Sequence, residues 1–200
     1  MLQKVISPSL ILSLSLIFLM LCFSMAGTQV ELLLEFNRDK ILQGEYWRLI
    51  TSNLVHYGFA HVMMNAAAFI IISFTLLRDL SLKSYVLLLL ICALAVNLGT
   101  LVFNPELTFY RGFSGALHGL IVAGLLFNSV RNRWLSYLGV ALVFGKIIHE
   151  HQADFQANEL QALLPVNVAV DSHLYGALAG LVFFGLIFAY SHFRKNTNPT

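Results

Sequence analysis

Three short stretches carry side chains that can move protons or hold an anion. In Gly112-Phe113-Ser114-Gly115 a serine stands between glycines, just before an apolar run. Such glycines let the backbone turn sharply and let a second chain approach closely. A helix beginning at Ser114 would put its hydroxyl beside free backbone N–H groups and the positive end of the helix dipole, a setting suited to an oxyanion. Ser172-His173-Leu174-Tyr175-Gly176 opens the last apolar run, with Gly180 one turn further on. Gly176-x-x-x-Gly180 is the small-residue spacing that lets two membrane helices meet backbone to backbone. If that helix packs on the helix of Ser114, His173 can reach the serine and take its proton. His61 and Asn65 lie at i and i+4, so both could donate hydrogen bonds toward one point.

Each stretch alone also suits a structural role. His61 and Asn65 could join helices by hydrogen bonds. Ser114 could be an N-cap followed by small packing residues, and His173 a packing histidine bonded to a carbonyl. His149-Glu150-His151 lacks the HExxH spacing of a zinc protease and reads as a polar loop tip. Cys22 and Cys92 lie inside apolar runs and read as small buried hydrophobes. No metal, cofactor or redox centre is expected.

These residues need elements to hold them, and the composition says which. The chain has 200 residues, of which 58% are hydrophobic and 11% charged. Soluble domains carry about 25% charged residues, so this chain reads as one membrane domain over residues 1–200. A net charge of +2 provides no nucleic-acid patch. Spanning helices need roughly 20 apolar residues. Six spans are expected, near 8–26, 56–77, 84–103, 114–130, 134–148 and 172–193. The fifth is short and works if Lys146 snorkels from its end. Seven of the 12 lysines and arginines then fall on the side of the N-terminus, which puts both termini in the cytoplasm. The first span has a second reading as a secretory signal ending at Ser24-Met25-Ala26. The loop of residues 27–55 is apolar enough to lie in the interface, with Trp47 as an aromatic anchor. The loop of residues 149–171 is polar and expected to be mobile.

Together, HVMMN in the second span, GFSG opening the fourth, SHLYGALAG in the sixth and Tyr46-Trp47-Arg48 in the first loop resemble the rhomboid family of intramembrane serine proteases. The resemblance covers about Glu45 to Leu181. It implies an all-α, six-span bundle with a Ser–His dyad. Ser114 would be the nucleophile and His173 the base. His61, Asn65 and the Ser114 backbone N–H would form the oxyanion hole. Gly112 and Gly115 would shape the loop, and Gly176 and Gly180 the helix contact. Asp171, the acid nearest His173 in sequence, would point away from it on a helix. Ser172 replaces a frequent alanine before the base, and His118 a frequent tyrosine four residues after the nucleophile. His118 could stack on His173 or act as a rival base. The His118-Gly119 pair and a 200-residue chain without a soluble extension look like rhombosortases. That bacterial subgroup processes C-terminal sorting tails of exported proteins.

The resemblance thus implies transmembrane protein substrates, a bilayer as solvent, no nucleic-acid or metal partner, and an inner-membrane site facing the periplasm. The other readings are an inactive membrane-helix binder, a histidine-based transporter and a haem-binding membrane protein.

Overall fold

The computed structural model describes residues 7–152 and 169–197. The polar loop expected at 149–171 lies mostly outside them. Helix α1 (Pro8–Met25) begins at an N-capping Ser7, whose Oγ accepts from the Leu10 N–H, and has Pro8 in its first turn. The stretch to residue 55 folds into short pieces: α2 (Thr28–Leu34), β1 (Phe36–Asn37), α3 (Arg38–Leu42), α4 (Arg48–Thr51) and a 3-10 turn, Ser52–Leu54. Then come α5 (Phe59–Thr75), α6 (Leu82–Phe103), β2 (Phe109–Tyr110), α7 (Ser114–Phe127), α8 (Arg133–Glu150) and α9 (Val170–Thr197).

Helices α1, α6 and α9 are each long and apolar enough to cross a membrane. The pair Arg48–Leu54 and Phe59–Thr75 passes the same test jointly but is bent by 94°. The second expected span therefore begins at Phe59, after a break, rather than at residue 56. Helix α7 with its 3-10 extension, Ser114–Val130, is apolar but short.

Polar side chains tie the bundle together where water cannot compete. Ser13 of α1, Ser73 of α5 and Tyr85 of α6 form a closed hydroxyl cluster, with Ser13 to Tyr85 at 2.5 Å, Ser73 to Tyr85 at 2.9 Å and Ser13 to Ser73 at 3.1 Å. Asn97 of α6 donates to the Leu49 carbonyl and accepts from Ser52, which fixes the loop to the bundle. Arg48 is fully buried, donates to the Leu32 and Glu35 carbonyls and pairs with Glu45 at 2.7 Å. Arg38 donates to the carbonyls of Thr100, Leu101 and Asn104 and so satisfies the open C-terminal end of α6.

Among the described residues the regular structure is otherwise helical, but β1 and β2 pair antiparallel, with Phe36 opposite Tyr110. That small ladder holds the segment before α7 against the first loop. Phe36, Ile41, Val96 and Tyr110 form the core beneath it.

The closest helix pair is α7 on α9. A Cβ placed on Gly176 would fall on the Gly115 carbonyl, and one on Gly180 on the Gly119 carbonyl. Only hydrogen at these positions permits the approach, and the Cα of Ser114 and His173 are held in fixed register by it.

Candidate active site

Ser114 is the first residue of α7. The preceding Gly112 has φ +129, a conformation that side chains rarely adopt, and its N–H donates to the Ser52 carbonyl at 3.1 Å. A Cβ there would also meet the His61 ring at 2.7 Å. Gly112 is thus required twice, by its backbone angle and by the imidazole laid against it.

His173 stands in the first turn of α9, 4% exposed. Its Nε2 lies 3.2 Å from Ser114 Oγ. The other ring nitrogen, Nδ1, lies 2.9 Å from a carboxylate oxygen of Glu150 at the end of α8. A carboxylate can only accept, so Nδ1 carries the proton and Nε2 is left to accept from the serine hydroxyl.

His118 lies one turn into α7 and stacks on His173, with ring centroids 4.1 Å apart and planes 21° from parallel. Its Nδ1 donates to the Ser114 carbonyl at 2.8 Å, and its Nε2 accepts from Lys146 at 3.2 Å. Both nitrogens are therefore engaged away from Ser114 Oγ. Lys146 also pairs with Glu150 at 2.6 Å, one helical turn along α8. Lys146, half exposed, thus bonds to both His118 and Glu150.

On α5, His61 and Asn65 are both buried. Asn65 Nδ2 has no hydrogen-bond partner among the described residues. A buried amide donor is ordinarily paired, so this one is available to a group from outside the chain.

Residues 43–190 match the family described as Rhomboid domain. The chain belongs to the rhomboid family. YdcA of Bacillus subtilis (strain 168), provisionally assigned as a rhomboid protease, is 26% identical over 142 residues, covering 71% of this chain and 67% of YdcA. Rhomboid protease GluP of the same strain is 30% identical over 139 residues, covering 67% of this chain but only 27% of GluP. Family and apolar helices together make this rhomboid an integral membrane protein.

Several residues of this rhomboid site escape sequence reasoning. Glu150, expected in a loop tip, is the buried last residue of α8. Asp171, which the sequence did single out as pointing away from His173, turns to Asn104 at 2.6 Å and His151 at 2.9 Å. His56 is fully buried and meets His61 edge-on, with centroids 5.0 Å apart. Tyr110 is buried with its hydroxyl facing Ser172 and Ser114 without meeting hydrogen-bond geometry. The i,i+4 pair Lys146 and Glu150, charges at the end of an apolar helix, was the signal available for Glu150.

Proposed function

We propose that this rhomboid is an intramembrane serine endopeptidase that cleaves transmembrane segments of other proteins. The observation that carries the reading is the 3.2 Å approach of Ser114 Oγ to His173 Nε2 at the N-terminus of a helix within an apolar bundle. Ser114 Oγ attacks the scissile carbonyl carbon while its proton passes to His173 Nε2. The carbonyl oxygen becomes an oxyanion that accepts from the Ser114 backbone N–H and the side chains of His61 and Asn65. Collapse breaks the C–N bond, and His173 returns the proton to the leaving amine. Water, deprotonated by His173, then releases the acyl group. A substrate helix must unwind locally at the site, because an intact helix hides its peptide bonds.

The finer reading is a six-span bundle forming one domain, with both termini in the cytoplasm. It sits in the bacterial inner membrane with Ser114 toward the periplasmic side. Replacement of the usual stacking tyrosine by His118, followed by Gly119, supports a rhombosortase-like subgroup acting on C-terminal sorting tails of exported proteins.

The test is a fluorophosphonate probe on the purified full-length protein, with the labelled peptide mapped. Labelling at Ser114, lost in Ser114→Ala and strongly reduced in His173→Ala, is the expected result. Labelling elsewhere, or cleavage of a transmembrane substrate by Ser114→Ala at the wild-type rate, overturns the mechanism. Binding of transmembrane helices undiminished in Ser114→Ala, without any cleavage by wild type, would instead indicate a helix binder.

A further inference from the structure

The geometry points to Glu150 as the positioning residue for His173, which completes a Ser–His–Glu chain; this rests on the serine-protease reading above. Glu150 is 5% exposed and His173 4%, and their side chains meet at 2.9 Å. A carboxylate buried at this depth is unfavourable unless it is fully partnered. Here one oxygen accepts from Lys146 Nζ at 2.6 Å and the other from His173 Nδ1. The acid and base come from different helices, 23 residues apart in the chain.

The tautomers are fixed around the whole ring of contacts. His118 Nδ1 faces a carbonyl, so it carries the proton, and Nε2 accepts from Lys146. Lys146 therefore supplies donors to His118 and Glu150 together and holds the carboxylate in place. Glu150 holds His173 with Nδ1 protonated and Nε2 turned to the serine, while His118 covers the face of the ring. When His173 takes the serine proton, the resulting imidazolium lies beside a fixed negative charge. Glu150, His118 and His173 are also close enough to chelate an ion. The Lys146 ammonium, bonded to both Glu150 and His118, already supplies a positive charge to two of these three groups, which favours the positioning role.

The experiment measures labelling of the full-length protein in detergent by a fluorophosphonate probe, resolved into the maximal rate and the half-saturating concentration, beside melting temperature. Glu150→Gln is isosteric, yet its amide can donate to Nδ1 and favour the wrong tautomer. The maximal rate should fall roughly 10²–10⁴-fold with half-saturation and melting temperature near wild type. Glu150→Asp, which keeps a carboxylate, should recover at least about tenfold of that loss. The inference is overturned if Glu150→Gln labels within about twofold of wild type. It is equally overturned if the loss comes with a lowered melting temperature and weaker probe binding that Glu150→Asp does not restore. Absence of Ser114-dependent labelling in the wild-type protein itself is a different result, and it removes the serine-protease reading first.

Discussion

Asn65 donates to nothing within the described protein, although its amide nitrogen is buried. An amide kept unpaired in an apolar bundle is unfavourable by about 1–3 kcal/mol, so its retention asks for a partner that arrives during reaction. Asn65→Ala should lower turnover of a transmembrane substrate by about 10²–10³-fold with little effect on substrate binding, as measured by steady-state kinetics in detergent. A rise in the half-saturating concentration with unchanged turnover would assign Asn65 to binding instead. At this scale the sequence was informative wherever chemistry is local. Ser114 between glycines, His173 one turn before Gly176, and His61 four residues before Asn65 were all visible as short patterns. Glu150 was not, because its partner lies 23 residues away on another helix and its neighbours His149 and His151 gave it the look of a solvated tip. His56 was also missed: a single histidine in a loop carries no periodicity.

The pair α7 and α9 makes the next prediction. Gly176→Ala drives a methyl group onto the Gly115 carbonyl, and backbone cannot yield as a flexible side chain can. The substitution should destabilise the bundle by about 1–3 kcal/mol or more and separate Ser114 from His173, seen as a lower melting temperature and lost probe labelling. Gly185→Ala, on the same helix with nothing within 4 Å of the added carbon, is the internal control and should be neutral. Equal losses in both variants would show that α9 tolerates no change, whatever its neighbour. Long apolar runs made α1, α6 and α9 legible, since length and hydropathy decide them. The 94° break before α5 was not, because its cause is tertiary: Arg48, Asn97 and Ser52 anchor the preceding segment through contacts remote in sequence.

Across the whole molecule, the ends of α8 and α9 are joined by His151 and Asp171 at 2.9 Å. The bond from His151 Nδ1 to the Ile147 carbonyl, then the Asp171 carboxylate, raise the imidazole above its ordinary 6.5. The fold thus favours the protonated form. Its contribution to stability is complete below 6.5 and disappears as pH rises through the raised value. Both groups are substantially exposed, so the effect is small. Melting temperature should fall slightly as pH passes through the neutral range, and Asp171→Asn should flatten that slope. A slope unchanged in Asp171→Asn would place its origin elsewhere.

The proposed machinery is divided between two unequal supports. Ser114 and His173 ride on helices joined backbone to backbone, whereas Glu150 rides on α8, which buries only Ser136, Ile147 and Glu150 itself. An outward sway of α8 would leave the nucleophile and its base together yet strip the imidazole of its counter-charge. Reactivity in this protein would then follow the resting place of α8, and a lipid or substrate that nudged that helix would disarm the serine without touching it.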